Sequence, residues 1–175
     1  MLMKSVSLVI GFLIAVSASS SLQAESPRVV FTPQAGFEGT SEGNGILRLF
    51  AGRQRPFHVA SHGYQNAVGA FQLDQTITFQ GHAPHNRSWI LTTDSDGHYS
   101  GTLTGIAGTV AGQTNGDILT LRYRVKGPFV MHQTLTLMSD GKTIDNLGTI
   151  TLLGIPVGHL HETIDRKPSG AGADR

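Results

Sequence analysis

The sequence predicts an all-β protein, an antiparallel meander closed into a barrel of eight to ten strands. Three observations carry that reading. Strong helical periodicity is absent after the first two dozen residues, while apolar and polar residues alternate with period two in run after run. Turn signals rich in Gly, Asp and Asn interrupt the runs at short intervals. A meander also has two edges to hide, and closing on itself is the usual way to hide them, with an open sandwich as the alternative.

The strands are expected at 44–51, 54–61, 68–80, 87–94, 98–112, 117–125, 129–138, 142–153 and 156–165. Phe71, Leu73, Ile77 and Phe79 share one face of the third, with Gln72, Asp74, Thr76 and Thr78 on the other. Trp89 and Leu91 share a face of the fourth, and Tyr99, Gly101 and Leu103 share one in the fifth. Leu119, Leu121, Tyr123 and Val125 oppose Thr120, Arg122 and Arg124, and Met131, Gln133, Leu135 and Leu137 form a further row. Asp96-Gly97, Asn115-Gly116 and Asp140-Gly141 supply tight-turn chemistry between runs. Lys126-Gly127-Pro128 and Leu153-Gly154-Ile155-Pro156 mark two more corners, because Pro cannot continue a central ladder. The Gly-dense stretch from Gly101 to Gly116 reads as sharp curvature within a strand.

The first 24 residues read as a signal peptide: Lys4, an apolar run from Val6 to Val16, a small-residue segment, and Ala24 at the cleavage position. The run is shorter than the ~20 residues that cross a bilayer, so cleavage rather than anchoring is expected, with no integral span afterwards. Residues 25–166 then form a single barrel domain and 167–175 a disordered, polar, Gly-rich tail. There is no Cys, hence no disulfide, which a periplasmic address permits. Removing residues 1–24 takes away one cation, Lys4, and no acid, leaving 12 cations against 12 acids. That balance argues against a nucleic-acid binder, which should carry a basic stripe, and gives no electrostatic reason to expect anionic lipid.

No motif identifies a reaction. The Gly-rich stretch lacks the Gly-Lys-Ser/Thr of a phosphate loop, and Asp94-Ser95-Asp96-Gly97 lacks the later ligands of a calcium loop. Eight His residues call for a metal test. His159 and His161 share a strand face with Glu162 on the opposite one, and no segment offers three ligands, so no metal or other cofactor is expected. No nucleophile-elbow pattern surrounds any Ser.

Five residues remain as candidates for lining a ligand cavity: Arg87, Trp89, Tyr99, Tyr123 and His132. Arg87 and the only Trp of the chain, Trp89, stand two apart on one strand and project to one face. Such a pair can stack on one part of a ligand and hold another by charge. It can equally close one end of a packed barrel.

Residues distributed along the chain carry a family resemblance. They are Phe37-Glu38-Gly39 with Gly43, Arg87-x-Trp89, and Asp96-Gly97-His98-Tyr99-Ser100-Gly101-Thr102 with Gly108, Gly112 and Gly116. Tyr123, Met138, Asp140-Gly141, Asn146 and Gly154-Ile155-Pro156-Val157-Gly158 complete the set. In their order and spacing the chain resembles a group of proteobacterial exported proteins classed as a domain of unknown function, many of them lipoproteins. The resemblance implies a lipocalin-like barrel and brings no catalytic residues with it. The chain departs from the pattern where Leu135, Thr136 and Leu137 replace acidic and Trp residues before Met138. It departs again where Gln80 replaces an acid before Gly81, and where the lipoprotein Cys is missing.

The leading functional expectation is a periplasmic barrel binding a small apolar or amphipathic ligand, with no nucleic-acid partner. An envelope scaffold working through its outer surface is the second. An enzyme using Tyr99, Tyr123 or His132 as acid or base in the barrel mouth is the third.

Overall fold

The computed structural model describes residues 30–95, 97–106 and 108–167. The expected signal peptide and its cleavage site lie outside the described residues, as does the expected tail from Pro168 onward. A short helix, α1 (Pro33–Phe37), precedes ten strands. These are β1 (Gly39–Leu49), β2 (Gln54–Gln65), β3 (Phe71–Phe79), β4 (His85–Ser95), β5 (His98–Leu103), β6 (Val110–Asn115), β7 (Ile118–Arg124), β8 (Phe129–Leu137), β9 (Thr143–Leu152) and β10 (Ile155–Lys167). Each strand pairs antiparallel with its neighbours in sequence, and β1 closes on β10, so the barrel has no free edge.

The boundaries differ from the sequence expectation in several places, β2 for instance running to Gln65 rather than 61. The expected strand 98–112 is two strands, because Gly105 and Gly108 take φ of 81° and 95° and reverse the chain between β5 and β6. What reads as curvature within one strand is a connection between two. β1 begins at Gly39 rather than 44, since its first residues are opposed by the end of β2. β10 runs on to Lys167, which pairs with Thr40, so the ladder outlasts the expected end at 165.

Alternation decides the core. Side chains from the inward phase of all ten strands fill the barrel, and the main apolar cluster gathers Phe71, Leu73, Leu91, Leu119, Leu135 and Ile144 with α1. A smaller cluster of Phe57, Val59 and Ile77 packs nearer the other end. α1 lies across the end where β2–β3, β4–β5, β6–β7 and β8–β9 turn. Thr32 caps it, accepting from the Ala35 N–H at 3.0 Å, and Pro33 takes the first helical position. The fully buried Phe31 ties the segment down. Its N–H donates to Gly116 O at 2.8 Å, and Thr114 Oγ1 donates to its carbonyl at 2.7 Å. The remaining five connections form the far rim.

Gly63 is where helix and barrel meet most closely, since a Cβ there would run into the Phe37 carbonyl and the Phe71 ring. Making room would lift α1 from the barrel end or push the Phe71 ring out of the packed core. Gly63→Ala is therefore expected to cost about 1–3 kcal/mol, seen as a Tm lowered by roughly 3–10 °C in a thermal melt. An unchanged Tm would contradict this seating of α1.

Candidate functional site

The inward phase is mostly apolar, with Ser41, Arg55 and Arg166 among its polar exceptions, and its buried amides and carboxyl gather around one cavity. Gln75 interrupts the inward row of β3, Gln133 that of β8, Asn146 that of β9 and Glu162 that of β10, and all four are buried. Gln75 lies opposite both Ser61 and Arg87, Asn146 lies opposite Glu162 with Gln133 on the diagonal, and all four line one cavity. An unpaired buried polar group costs about 1–3 kcal/mol, so such a cluster persists only when its members satisfy one another.

They do so in two arms. In the first, Gln75 Nε2 donates to Ser61 Oγ at 3.1 Å. Its Oε1 accepts twice, from Arg87 Nε at 2.8 Å and from Trp89 Nε1 at 2.7 Å. The Arg87 guanidinium stands 5.2 Å from the Trp89 ring centroid, within cation–π range. In the second arm Tyr123 Oη donates to Gln133 Oε1 at 2.9 Å, Gln133 Nε2 to Asn146 Oδ1 at 3.1 Å, and Asn146 Nδ2 to Glu162 Oε2 at 2.8 Å. Each amide takes a proton donor on its oxygen and passes donation on through its nitrogen, so this arm is polarised toward Glu162. The arms meet where the Trp89 and Tyr123 rings pack edge to face, 5.1 Å between centroids. Gly43 leaves room for the Glu162 carboxyl, which a Cβ at that position would displace.

Between the arms lies an internal cavity of about 40 Å³, walled by Leu73, Leu91, Leu119 and Leu135 and closed at one end by Pro33 and Phe37 of α1. At about 10–15 Å³ for one water, it holds a few waters or a small head group. A drug-sized ligand needs several hundred Å³. Burial pushes the Glu162 carboxyl above its ordinary pKa, against the Asn146 hydrogen bond and the Arg87 and His58 charges that favour ionisation. Burial likewise raises Tyr123, with the Arg87 charge opposing. Among the described residues no contact within ion-pair distance joins Arg87 to Glu162. The half-buried guanidinium thus lines the cavity, its Nε donating to Gln75 and the Tyr123 hydroxyl lying close enough to interact with it.

Of the five sequence candidates, Arg87, Trp89 and Tyr123 come together in this cluster. Tyr99 is buried in the apolar cluster and makes no hydrogen bond to either arm. His132 is a correction: it is exposed on the outer face, because its neighbours Met131 and Gln133 occupy the inward phase of β8. Tyr99, Tyr123 and His132 therefore do not converge, and the acid–base arrangement built on them is not there. Sequence reasoning passed over Gln75, Gln133, Asn146 and Glu162 as site residues. Their signal is a polar residue standing in the apolar phase of an alternating strand. Among the described residues no three His, Asp or Glu side chains gather as a metal site would require.

The sequence pattern of a family described as "Protein of unknown function (DUF3833)" matches residues 10–166. No curated protein matches the chain in sequence. Among solved structures, an S-type phycobiliprotein lyase from Guillardia theta superposes with a TM-score of 0.63 at 9% identity, over 78% of this chain and 91% of its own. A protein of unknown function from the DUF3598 family of Nostoc punctiforme gives a TM-score of 0.58 at 12% identity. That match covers 80% of this chain and 51% of the other, so the chain spans about half the length of that relative. At these identities the likeness is one of fold: a closed, lipocalin-like antiparallel barrel.

Two outcomes follow from the polar cluster. Tyr123→Phe leaves Gln133 Oε1 without its donor and is expected to cost about 1–3 kcal/mol in urea unfolding. Glu162→Gln keeps an acceptor for Asn146 and removes the ionisable group. A folded carboxyl with a raised pKa holds its proton more tightly than the unfolded chain does. Wild-type stability therefore falls as pH rises from the ordinary value of 4.5 through the raised one. The variant should accordingly be more stable than wild type at neutral and alkaline pH, with the advantage vanishing below about pH 4. A Tm difference that does not change with pH would contradict it.

Proposed function

The chain belongs to the DUF3833 family, and from that premise we propose that it is a periplasmic binding barrel for a small amphipathic molecule with an acidic head. The observation that carries this reading is Arg87, a cation inside an apolar barrel whose outer nitrogens face a cavity. A buried charge is costly unless paired and hydrogen-bonded. The acid that shares the cavity with it, Glu162, makes no ion pair with it and is biased by burial toward its neutral form. An anionic head group on the ligand completes the pairing, with Trp89 as a stacking face.

The cavity as it stands takes the head group. An apolar body needs the space occupied by Pro33 and Phe37, beside Leu73, Leu91, Leu119 and Leu135. Every other lining residue sits on a strand held by two ladders. α1, five residues long, is the element that yields. The periplasmic address rests on Lys4, the apolar run and Ala24, and on the likeness in residue pattern to exported proteobacterial proteins. The fold shared with a phycobiliprotein lyase carries no activity across at 9% identity.

Trp89 is the only Trp in the chain, so fluorescence excited selectively at Trp, apart from the three Tyr, reports on the lumen. Titration with medium-chain carboxylates should change that fluorescence saturably, while the matching alcohols bind more weakly. Arg87→Met should weaken carboxylate binding by about 10- to 100-fold, the worth of a hydrogen bond to a charged group, and leave alcohol binding nearly unchanged. Equal binding of acid and alcohol, or an indifferent variant, would overturn the reading.

A further inference from the structure

The mature chain is neutral overall, yet its charge is segregated along the barrel axis. The far rim comprises the β1–β2, β3–β4, β5–β6, β7–β8 and β9–β10 connections. Residues 45–57, 77–87, 102–110, 122–131 and 149–160, which build it, contain no acid at all. Arg48, Arg53, Arg124 and Lys126 stand exposed there. Glu38, Asp94, Asp117, Asp140 and Asp165 lie toward the α1 end, where the strand directions put them.

The same rim carries apolar side chains that protrude. Phe50 is 81% exposed, Leu153 83% and Ile155 67%. Because β1 pairs with β10, the hairpin tip bearing Phe50 neighbours the one bearing Leu153 and Ile155. Leu153 also holds φ at +49°, the one non-Gly residue in the left-handed region among the described residues. Asn or Asp would sit there more easily. A strained backbone at a tip that presents a bare Leu to solvent lowers stability without any packing in return, and such outliers point to function.

We infer that this rim docks on a bilayer surface containing anionic lipid, with Phe50, Leu153 and Ile155 entering the acyl boundary while Arg48, Arg53, Arg124 and Lys126 meet the phosphates. Protruding apolar tips ringed by cations match the chemistry of an interface with apolar depth and negative headgroups. A nucleic acid would use the cations and leave the tips against phosphate. A second copy of the chain would set cations against cations. This inference stands apart from the reading of the lumen.

The test is flotation of the purified full chain with phosphatidylcholine vesicles, with and without phosphatidylglycerol, at low and high salt. The protein should float with the anionic vesicles about tenfold or more better than with the neutral ones, and high salt should release most of it. Arg124→Glu combined with Lys126→Glu should remove that preference. Leu153→Asn is the decisive variant, since Asn relieves the turn: it should melt no lower than wild type and still bind vesicles several-fold more weakly. The inference is overturned by equal flotation with neutral vesicles, by Leu153→Asn binding as wild type does, or by a duplex oligonucleotide displacing the protein from vesicles.

Discussion

One acceptor, Gln75 Oε1, holds the interior of this barrel together. It receives both Arg87 Nε and Trp89 Nε1, and without it a guanidinium and an indole N–H would face hydrocarbon unpaired. Its own amide nitrogen is anchored on Ser61, so β2, β3 and β4 are joined through side chains as well as through their ladders. Trp89 is thereby fixed edge-on against Tyr123, and Tyr123 starts the donor chain that ends on Glu162. The cavity is what remains between the two arms, which meet only through the Trp89 and Tyr123 rings.

A barrel suits such a cluster. Closure removes the edges, so the inward phase of every strand is committed to the lumen and a polar residue in that phase has nowhere else to go. The outward phase is free to vary, and here it sorts charge by height. Acids gather toward the α1 end, as in Asp140, which accepts from the Thr143 hydroxyl and from the Thr143 and Lys142 N–H groups and whose pKa is pulled to about 2. Cations crowd the far rim. On the readings proposed above, the lumen would hold a molecule and the rim would meet a surface.

Much of this was legible in the chain. The alternation of 71–79, 119–125 and 131–137 placed the core faces correctly, and the two-residue spacing of Arg87 and Trp89 put both in the lumen. The same parity turns His132 outward, beside Gln133 turned inward. Gln75, Asn146 and Glu162 were readable by parity as well, but a single polar residue in an apolar row looks like noise until the fold gathers four of them around one cavity. The division of 98–112 into two strands depended on left-handed φ at Gly105 and Gly108, which composition marks only as flexible. Charge segregation was hidden by the net balance, because it depends on strand direction and not on counts.

Native mass spectrometry with organic extraction tests the central claim most directly, on protein purified from the periplasm and never denatured. The account predicts a reproducible added mass, recovered in the organic phase as a small molecule with an acidic group, and missing from Arg87→Met purified in parallel. Bare protein in the wild-type preparation, or a bound mass equally present in the variant, would contradict it.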